Sequence, residues 1–446
     1  MEKFNVIVVG AGIAGLSTAI ALKRKGHEVT VLERHVSCQA LGGPIAISPS
    51  ATRIMIEYGL GSLLSGKATK VNAKANFYRY DTGAVLGGRN LKDMDDAYGF
   101  PNWNLSRFRL QEALAGEAAQ RGIRVQFGSV ILSVDAIRPA VILENGKELL
   151  ADLIIGADGI GSITRTSILG KKINAEAHFT AYNIDIPREM LKQDSMLAEL
   201  GDQMNVWVGP AQVIVASNMP DHRDMYNMCF VTEEEAGCQG EWHVLGDLEH
   251  LKAKFRHFDS KVQKLLELAD PKECYIWRLS QMPALPTWKS ANGRLVLVGD
   301  SAHAMLPYAG LGASSCIEDG ACLAECLDRA LSVEDLPKVL DIYEQIRKRR
   351  VEWIAERGLH AATIWHLPDG EAQRQRDEIW AKEPIGIPDR NIWDGVHIDE
   401  PPVGSNVAFH PLIAPYIYAY DIIQYTNRQL DQKLGITSGD VLSRSL

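Results

Sequence analysis

Short apolar runs that end at glycine-rich turns are the dominant pattern of this chain of 446 residues. Residues 6–9 predict a buried strand, and the turn that follows, GAGIAG from Gly10 to Gly15, opens a helix predicted to reach about Lys25. Residues 27–32 predict a second strand, which ends at Glu33. A strand, a GxGxxG turn, a helix, a strand and an acid in one short unit indicate a nucleotide-binding βαβ unit.

The residues of this turn have distinct physical roles in such a unit. Gly10 permits the tight turn, Gly12 lets a pyrophosphate approach the backbone, and Gly15 lets the helix pack on the strand. Glu33 stands where an acceptor for a ribose hydroxyl is needed. The predicted cofactor contacts of this unit are Gly10, Gly12, Ala14, Gly15, Glu33 and Arg34.

Two later apolar runs also end at a glycine and a carboxylate. Residues 153–155 lead into GADG with Asp158, a pattern that is equally typical of a plain turn. Residues 295–298 lead into Gly299 and Asp300, followed by a small-residue loop and a helix predicted over 313–331. Asp300 can accept hydrogen bonds from a sugar-like chain, and the loop's backbone amides can face a flat, electron-rich ring, so this stretch favours FAD over NAD. The loop contacts predicted are Pro307, Gly310, Gly312 and Ala313.

The middle of the chain changes to short strands rich in Val, Ile, Tyr and Trp. We predict strands at 76–80, 179–186, 204–208, 212–217, 226–231 and 275–279, with a helix over 248–269. Tyr182, Trp207 and Gln212 are the predicted substrate contacts on this sheet, because pockets favour domain junctions. Further helices are predicted over 334–375 and 416–434.

The predicted architecture is α/β. A Rossmann-like FAD-binding domain is assembled from residues 1–73, 98–177 and 285–365. An antiparallel β-sheet substrate domain, residues 74–97 and 178–284, is inserted into it, and a helical or irregular C-terminal region covers 366–446.

Composition narrows the functional class. With 47 basic and 56 acidic residues the formal charge is −9, which disfavours nucleic-acid binding. The chain contains no apolar run of about 20 residues, so no membrane-spanning helix is predicted. No signal peptide is evident either, and we therefore expect a cytoplasmic protein. Seven cysteines form no disulfide pattern, and Cys316, Cys322 and Cys326 are predicted to be buried on one helix rather than to bind a metal. The basic run 347–350 is interpreted as a solvated helix face.

These segments, in this order, resemble the FAD-dependent aromatic hydroxylases, the group A flavoprotein monooxygenases. The resemblance is strongest to salicylate hydroxylase-like enzymes and fungal biosynthetic monooxygenases. Residues 41–53, with Gly43, resemble the family's glycine-rich turn before a helix, and residues 105–110 resemble its HRxDL segment, which implies that Arg107 contacts the flavin. In the family the Asp158 motif lies near the pyrophosphate and is linked to NAD(P)H use.

The resemblance implies an oxygenation reaction. NADH or NADPH reduces FAD, O2 adds to flavin C4a, and the distal oxygen of the hydroperoxide passes to an aromatic or other hydrophobic small molecule. An FAD-dependent dehydrogenase or oxidase and a non-catalytic flavin-binding protein are the alternatives. A flavin-dependent halogenase is disfavoured, because the chain has no WxWxIP segment.

The chain departs from the family pattern at several positions. Ser106 and Arg109 replace the usual histidine and aspartate, and Leu311 replaces a common glutamine. The strand near 178–186 has no arginine, where many relatives have one. The catalytic side chain stays unknown; the histidines available by type are His178, His222, His243 and His303.

Overall fold

A computed structural model of the chain describes residues 3–38, 43–65, 69–70, 74–91, 94–219, 224–235, 244–382, 399, 401 and 413–435. Its strands are β1 Asn5–Val9, β2 Glu28–Leu32, β3 Pro44–Ile47, β4 Thr69–Lys70, β5 Lys74–Arg79, β6 Val85–Asn90, β7 Trp103–Ser106, β8 Arg124–Gln126, β9 Ile131–Asp135, β10 Ala140–Leu143, β11 Glu148–Leu150, β12 Leu153–Gly156, β13 Glu176–Pro187, β14 Met204–Gly209, β15 Gln212–Met219, β16 Met225–Glu233, β17 Val244–Leu245, β18 Cys274–Gln281 and β19 Leu295–Leu297. Its α-helices are α1 Ile13–Arg24, α2 Pro49–Glu57, α3 Gly61–Ser65, α4 Met94–Tyr98, α5 Arg107–Gln120, α6 Ile163–Leu169, α7 Arg188–Lys192, α8 Leu248–Lys254, α9 Ser260–Glu267, α10 Asp300–His303, α11 Gly312–Leu327, α12 Leu336–Trp365, α13 Glu371–Lys382, α14 Ile413–Tyr418 and α15 Ile422–Leu434.

The first layer is a five-stranded parallel sheet in the order β19-β12-β1-β2-β8. Its central strands are apolar and almost fully buried, as expected for a parallel sheet covered on both faces. Helices α1 and α11 pack beside it in the largest hydrophobic core. The Rossmann-like part of the prediction is confirmed. Two three-stranded sheets, β11-β10-β9 and β3-β7-β4, accompany it.

The second layer is an eight-stranded sheet in the order β17-β18-β13-β16-β15-β14-β5-β6. All six strands predicted for this region are present and differ from the predictions by a few residues at their ends. The sheet is antiparallel except where β14 pairs with β5 in parallel.

Three predicted long helices are each split into two. The helix over 248–269 is α8 and α9, because Asp259 caps α9 by accepting from the backbone N–H groups of Lys261 and Val262. In the same way Asp421 separates α14 from α15. A turn at Pro368–Gly370 separates α12 from α13. Asp is a favoured N-cap, so it starts a new helix inside an apolar-periodic stretch.

The C-terminal helices belong to both layers. On α13, Trp380 packs against Phe77 and the other apolar side chains of β5, β6, β14 and β15. Tyr416 of α14, Leu430 of α15 and Tyr420 of the connection between them belong to the core of the parallel-sheet layer. In the described ranges no helix combines the length and apolar character needed to cross a membrane.

Candidate FAD and substrate site

The three predicted strand-end motifs meet at the carboxyl edge of the parallel sheet. A Cβ on Gly10 would lie 2.4 Å from the carbonyl oxygen of Ala157, next to Asp158. A Cβ on Gly299 would lie 2.6 Å from the Cβ of Ala14. Ligands bind open α/β sheets at this edge, so motifs far apart in sequence form one candidate site.

The GxGxxG turn has the shape its glycines predict. Gly10 has φ +105°, and a Cβ on Gly15 would lie 1.9 Å from the Gly10 carbonyl oxygen. A Cβ on Gly12, in contrast, would meet no atom within 4 Å. Helix α1 begins there without a side-chain cap and without an acid in its first turn. Its N-terminal N–H groups are therefore available to a pyrophosphate.

Glu33 lies against the same turn. Its Oε2 accepts a 2.8 Å hydrogen bond from the backbone N–H of Ala11. Gln111 on α5 donates to the Ala11 carbonyl oxygen at 2.8 Å, so the turn is held from two sides. Gln111 gave no signal in the sequence because its role depends on a contact across 100 residues. Arg34 is exposed beside Glu33.

The two later carboxylates have different surroundings. Asp300 is exposed and is the first residue of α10, directly after Gly299 with φ +61°. Asp158 caps α6: its carboxylate accepts from Ser162 Oγ at 2.6 Å and from the backbone N–H groups of Ile163 and Thr164 at 2.7 and 3.0 Å. The sequence pattern is the same for both carboxylates. In the structure Asp158 is engaged at the start of α6, whereas Asp300 faces solvent.

The loop after Asp300 presents backbone rather than side chains. Pro307–Ala309 form a 3₁₀ turn, and Gly310 has φ +64°. Helix α11 starts at Gly312, with Ala313 next and no side-chain cap. A Cβ on Gly310 or Gly312 would meet no atom within 4 Å. This surface can accept a flat ring against its amides.

Arg107 is the first residue of α5 and directly follows β7. Burial raises the pKa of the Cys316 thiol on α11 well above its usual range; Asp300 raises this pKa further and Arg107 lowers it. Asp300 and Arg107 therefore both contribute to the electrostatic environment of the Cys316 thiol.

The departures around Arg107 have local roles. Ser106 caps α5, since its Oγ accepts from the backbone N–H of Arg109 at 3.2 Å. The Arg109 guanidinium pairs with Glu112. Leu311 is buried at the N-terminus of α11.

The predicted substrate contacts lie on the face of the eight-stranded sheet that packs against α8 and α9. Trp207 is fully buried and donates from Nε1 to Asp259 at 2.7 Å. Tyr182 donates to Glu235, and Gln212 donates to the backbone carbonyl of Lys254 on α8. This face packs against α8 and α9, so these contacts hold the sheet's own core. Their role as substrate contacts stays a prediction; it was drawn from residue type, which does not fix the strand face that meets the cofactor domain.

The opposite face of β13 and β16 meets the cofactor domain. Asn227 donates from Nδ2 to Asn183 Oδ1 at 2.9 Å and to Asp185 Oδ1 at 2.6 Å. A Cβ on Gly43 would lie 2.7 Å from Asn227 Oδ1, so the glycine-rich turn before β3 touches this polar group. We call Asn183, Asp185 and Asn227 the front-face polar cluster. The alternation in residues 179–186, with Asn183 and Asp185 in an otherwise largely apolar strand, was the signal that could have found it.

An aromatic cluster closes the same face beside the loop. Phe179 on β13 stacks on His366 with ring centroids 4.6 Å apart. Tyr308, in the 3₁₀ turn, has its hydroxyl 2.6 Å from His366 Nε2. Burial lowers the pKa of His366 to about 4, so the ring is neutral near pH 7 and forms a neutral hydrogen bond with the tyrosine hydroxyl. The cluster fixes the loop to the sheet.

The candidate histidines differ in burial and in what they contact. His303 is buried and its Nε2 lies 2.6 Å from Asp319 Oδ2, within the protein core. His178 is half-buried next to Phe179. His222 and His243 lie outside the described residues. Cys316, Cys322 and Cys326 are buried, as predicted.

Comparisons with known proteins agree with this geometry. A family model described as an FAD binding domain matches residues 3–357. The FAD-dependent monooxygenase OpS4 of Beauveria bassiana (strain ARSEF 2860) is 32% identical over 432 residues, covering 95% of this chain and 96% of the relative. The chain belongs to the FAD-dependent monooxygenases. Its cofactor is FAD.

Solved structures show the same fold across the chain. CtdE in complex with FAD and its substrate 4 superposes with a TM-score of 0.79 at 22% identity, covering 97% of this chain and 99% of CtdE. A salicylate hydroxylase substrate complex superposes with a TM-score of 0.74 at 18% identity, covering 96% and 98%. The monooxygenase belongs to the group A aromatic hydroxylase family, and the family expectation drawn from the sequence is confirmed.

Proposed function

We propose that this monooxygenase takes electrons from NADH or NADPH and inserts one oxygen atom of O2 into an aromatic or other hydrophobic small molecule. The observation that supports it is the face of β13 and β16 that meets the cofactor domain, where Phe179 packs against Tyr308 of the loop and the front-face polar cluster touches Gly43. Pockets of this composition orient a mostly apolar ligand by a few polar contacts. The salicylate hydroxylase likeness supports an aromatic substrate.

FAD, when bound, supplies the redox chemistry, and the chain's residues bind, orient and shield it. We assign the pyrophosphate to the α1 N-terminus at Gly10, Gly12, Ala14 and Gly15, and a ribose to Glu33. Asp300 accepts from the ribityl side. Pro307, Gly310, Gly312 and Ala313 line the ring with backbone, while Gly43 and Arg107 approach from the other wall. Asp158 acts by shaping the turn beside Gly10.

The buried Leu311 and the aromatic cluster exclude water from the ring face, which protects an oxygenating species from side reactions. Six cysteines lie in the described residues and all are free thiols. This supports a reducing compartment, and we propose the cytoplasm.

The test is turnover with phenols, indoles and polyketides under ¹⁸O2, with NADH and NADPH compared. We expect a substrate to accelerate NAD(P)H oxidation, to consume O2 and to gain one labelled oxygen. Label from water, or turnover with another electron acceptor when O2 is absent, would favour a dehydrogenase of the same fold.

A further inference from the structure

Four charged side chains are buried together beneath the Gly299–Asp300 turn. Glu318 and Asp319 on α11 are 1% and 0% exposed, and Arg347 and Arg350 on α12 are 0% and 2% exposed. The interpretation of 347–350 as a solvated helix face was therefore wrong for these two arginines. Two guanidiniums balance two carboxylates, but buried ions are tolerated only when every hydrogen-bonding group is matched. We call these four residues the buried ion network.

One end of the network holds the turn. Asp319 Oδ2 accepts from the backbone N–H of Gly299 at 2.8 Å, and Oδ1 accepts from Arg347 Nε at 2.7 Å. Gly299 has φ +61° and ψ −146°, a conformation that side-chain-bearing residues rarely adopt. Because Asp300 follows directly, the direction of its carboxylate depends on this hydrogen bond.

A second branch reaches the opposite wall of the site. Glu318 Oε1 accepts from Ser50 Oγ at 3.0 Å, and Ser50 Oγ lies 2.9 Å from Ser48 Oγ. Ser48 is the N-cap of α2 and Ser50 lies in its first turn, so both follow β3, which begins directly after Gly43. Arg347 joins the branches because its Nη1 donates to Glu318 Oε2 at 2.8 Å.

The far end of the network is completed by the C-terminal segment. Arg350 donates from Nη1 to the Tyr416 carbonyl oxygen at 2.8 Å and from Nη2 to that of Ile417 at 3.2 Å. The Arg350 guanidinium also lies 3.9 Å from the ring centre of Tyr420. These residues lie beyond the 3–357 range of the family match. Within the described residues, these two carbonyl oxygens accept the Arg350 N–H groups that do not donate to Glu318.

We propose that the segment Ile413–Gly435 positions the FAD site from a distance. Its carbonyls and the Tyr420 ring hold Arg350, Arg350 holds Glu318, and Arg347 transmits this order to Asp319 and Gly299. The inference depends on the proposed placement of FAD at Asp300. Removing the Tyr420 ring leaves Arg350 less constrained, so the Gly299 N–H opens more often and FAD binds more weakly.

The test uses the full chain as apoprotein after FAD removal. Hydrogen exchange of a peptide spanning 295–303 is measured beside FAD affinity and the thermal midpoint. Tyr420→Leu should accelerate exchange of that peptide and weaken FAD binding by about 3- to 30-fold, the range that loss of a cation–π contact supports. Tyr420→Met is the second variant if Tyr420→Leu does not fold.

Two controls isolate the network. Tyr420→Phe keeps the ring and should match the parent in exchange and affinity. Thr426→Val removes the α15 hydrogen bond to Cys322, which does not involve Arg350, so any loss of stability should leave exchange at 295–303 unchanged. Parent-like exchange and affinity in folded Tyr420→Leu or Tyr420→Met would overturn the proposal. If Asp300→Ala binds FAD like the parent, the placement of FAD fails instead, whatever the exchange shows.

Discussion

The cofactor edge and the front face of the second sheet are built on different principles. At the cofactor edge, Gly10, Gly12, Gly15 and Gly299 shape the backbone, and each effect comes from the absence of a Cβ. At the front face, recognition depends on side chains of separate strands, such as Asn183 and Asn227, brought together by pairing. A site formed by backbone can be predicted from a short stretch of sequence. A site formed by side chains of several strands can be predicted only when strand register and direction are known.

The largest expected effect is at Gly15. Gly15→Ala places a methyl group 1.9 Å from the Gly10 carbonyl oxygen, so helix α1 must move. We expect a loss of about 1–3 kcal/mol in the free energy of unfolding, typical of overpacking, and loss of FAD retention. Gly12→Ala is the control: space around it should preserve apoprotein stability while FAD binding weakens. Calorimetry and FAD titration separate the two, and equal destabilisation by both variants would contradict the account.

Asp300 and Asp158 sharpen the comparison within the cofactor edge. Asp300→Ala should weaken FAD binding by about 10- to 100-fold, because hydrogen bonds to charged groups contribute about 1.5–3 kcal/mol. Its exposed position predicts unchanged apoprotein stability. Asp158→Ala should cost about 1 kcal/mol of stability, since it removes the acceptor of the Ile163 and Thr164 N–H groups at the start of α6. FAD titration and thermal melting measure the two effects. A loss of stability in Asp300→Ala together with a loss of FAD affinity in Asp158→Ala would refute these roles.

Asn227 tests the front face. Asn227→Leu removes the donor shared by Asn183 and Asp185, and should raise the KM of a polar-substituted aromatic substrate about tenfold, as for a lost hydrogen bond of about 1.4 kcal/mol. FAD affinity should stay unchanged. Tyr182→Phe, on the opposite face, should leave KM unchanged. Steady-state kinetics would contradict the face assignment if Tyr182→Phe alone raised KM.

His366 tests the aromatic cluster through the pH dependence of stability. Its pKa of about 4 is below that of an unfolded histidine, so between about pH 6.5 and 4 the unfolded chain binds a proton that the folded chain does not. The neutral-histidine contribution is complete above about pH 6.5 and is lost as pH falls, by about 1–3 kcal/mol. His366→Gln should flatten this part of the stability–pH curve. Parallel urea-denaturation curves for both proteins across pH 4–7 would exclude the assignment.

The sequence predicted the parallel sheet, the strands of the second sheet and the three motifs, because glycine turns and apolar runs are local signals. The sequence could not show that Tyr182 and Trp207 lie on the face that packs against α8 and α9, because strand alternation identifies two faces without saying which meets the cofactor domain. Arg347 and Arg350 were misread because their partners lie on α11 and in the C-terminal segment. A run of basic residues indicates solvent exposure only when no buried carboxylate of another element pairs with it.

The most direct test of the proposed site is a crystal structure of the enzyme with FAD and a turned-over substrate. The account predicts the pyrophosphate at Gly12, the flavin ring against the loop at Pro307–Gly312, and the substrate between that ring and the Asn183–Asn227 face. A substrate bound against Trp207 and Tyr182, or a flavin ring remote from the loop, would contradict it.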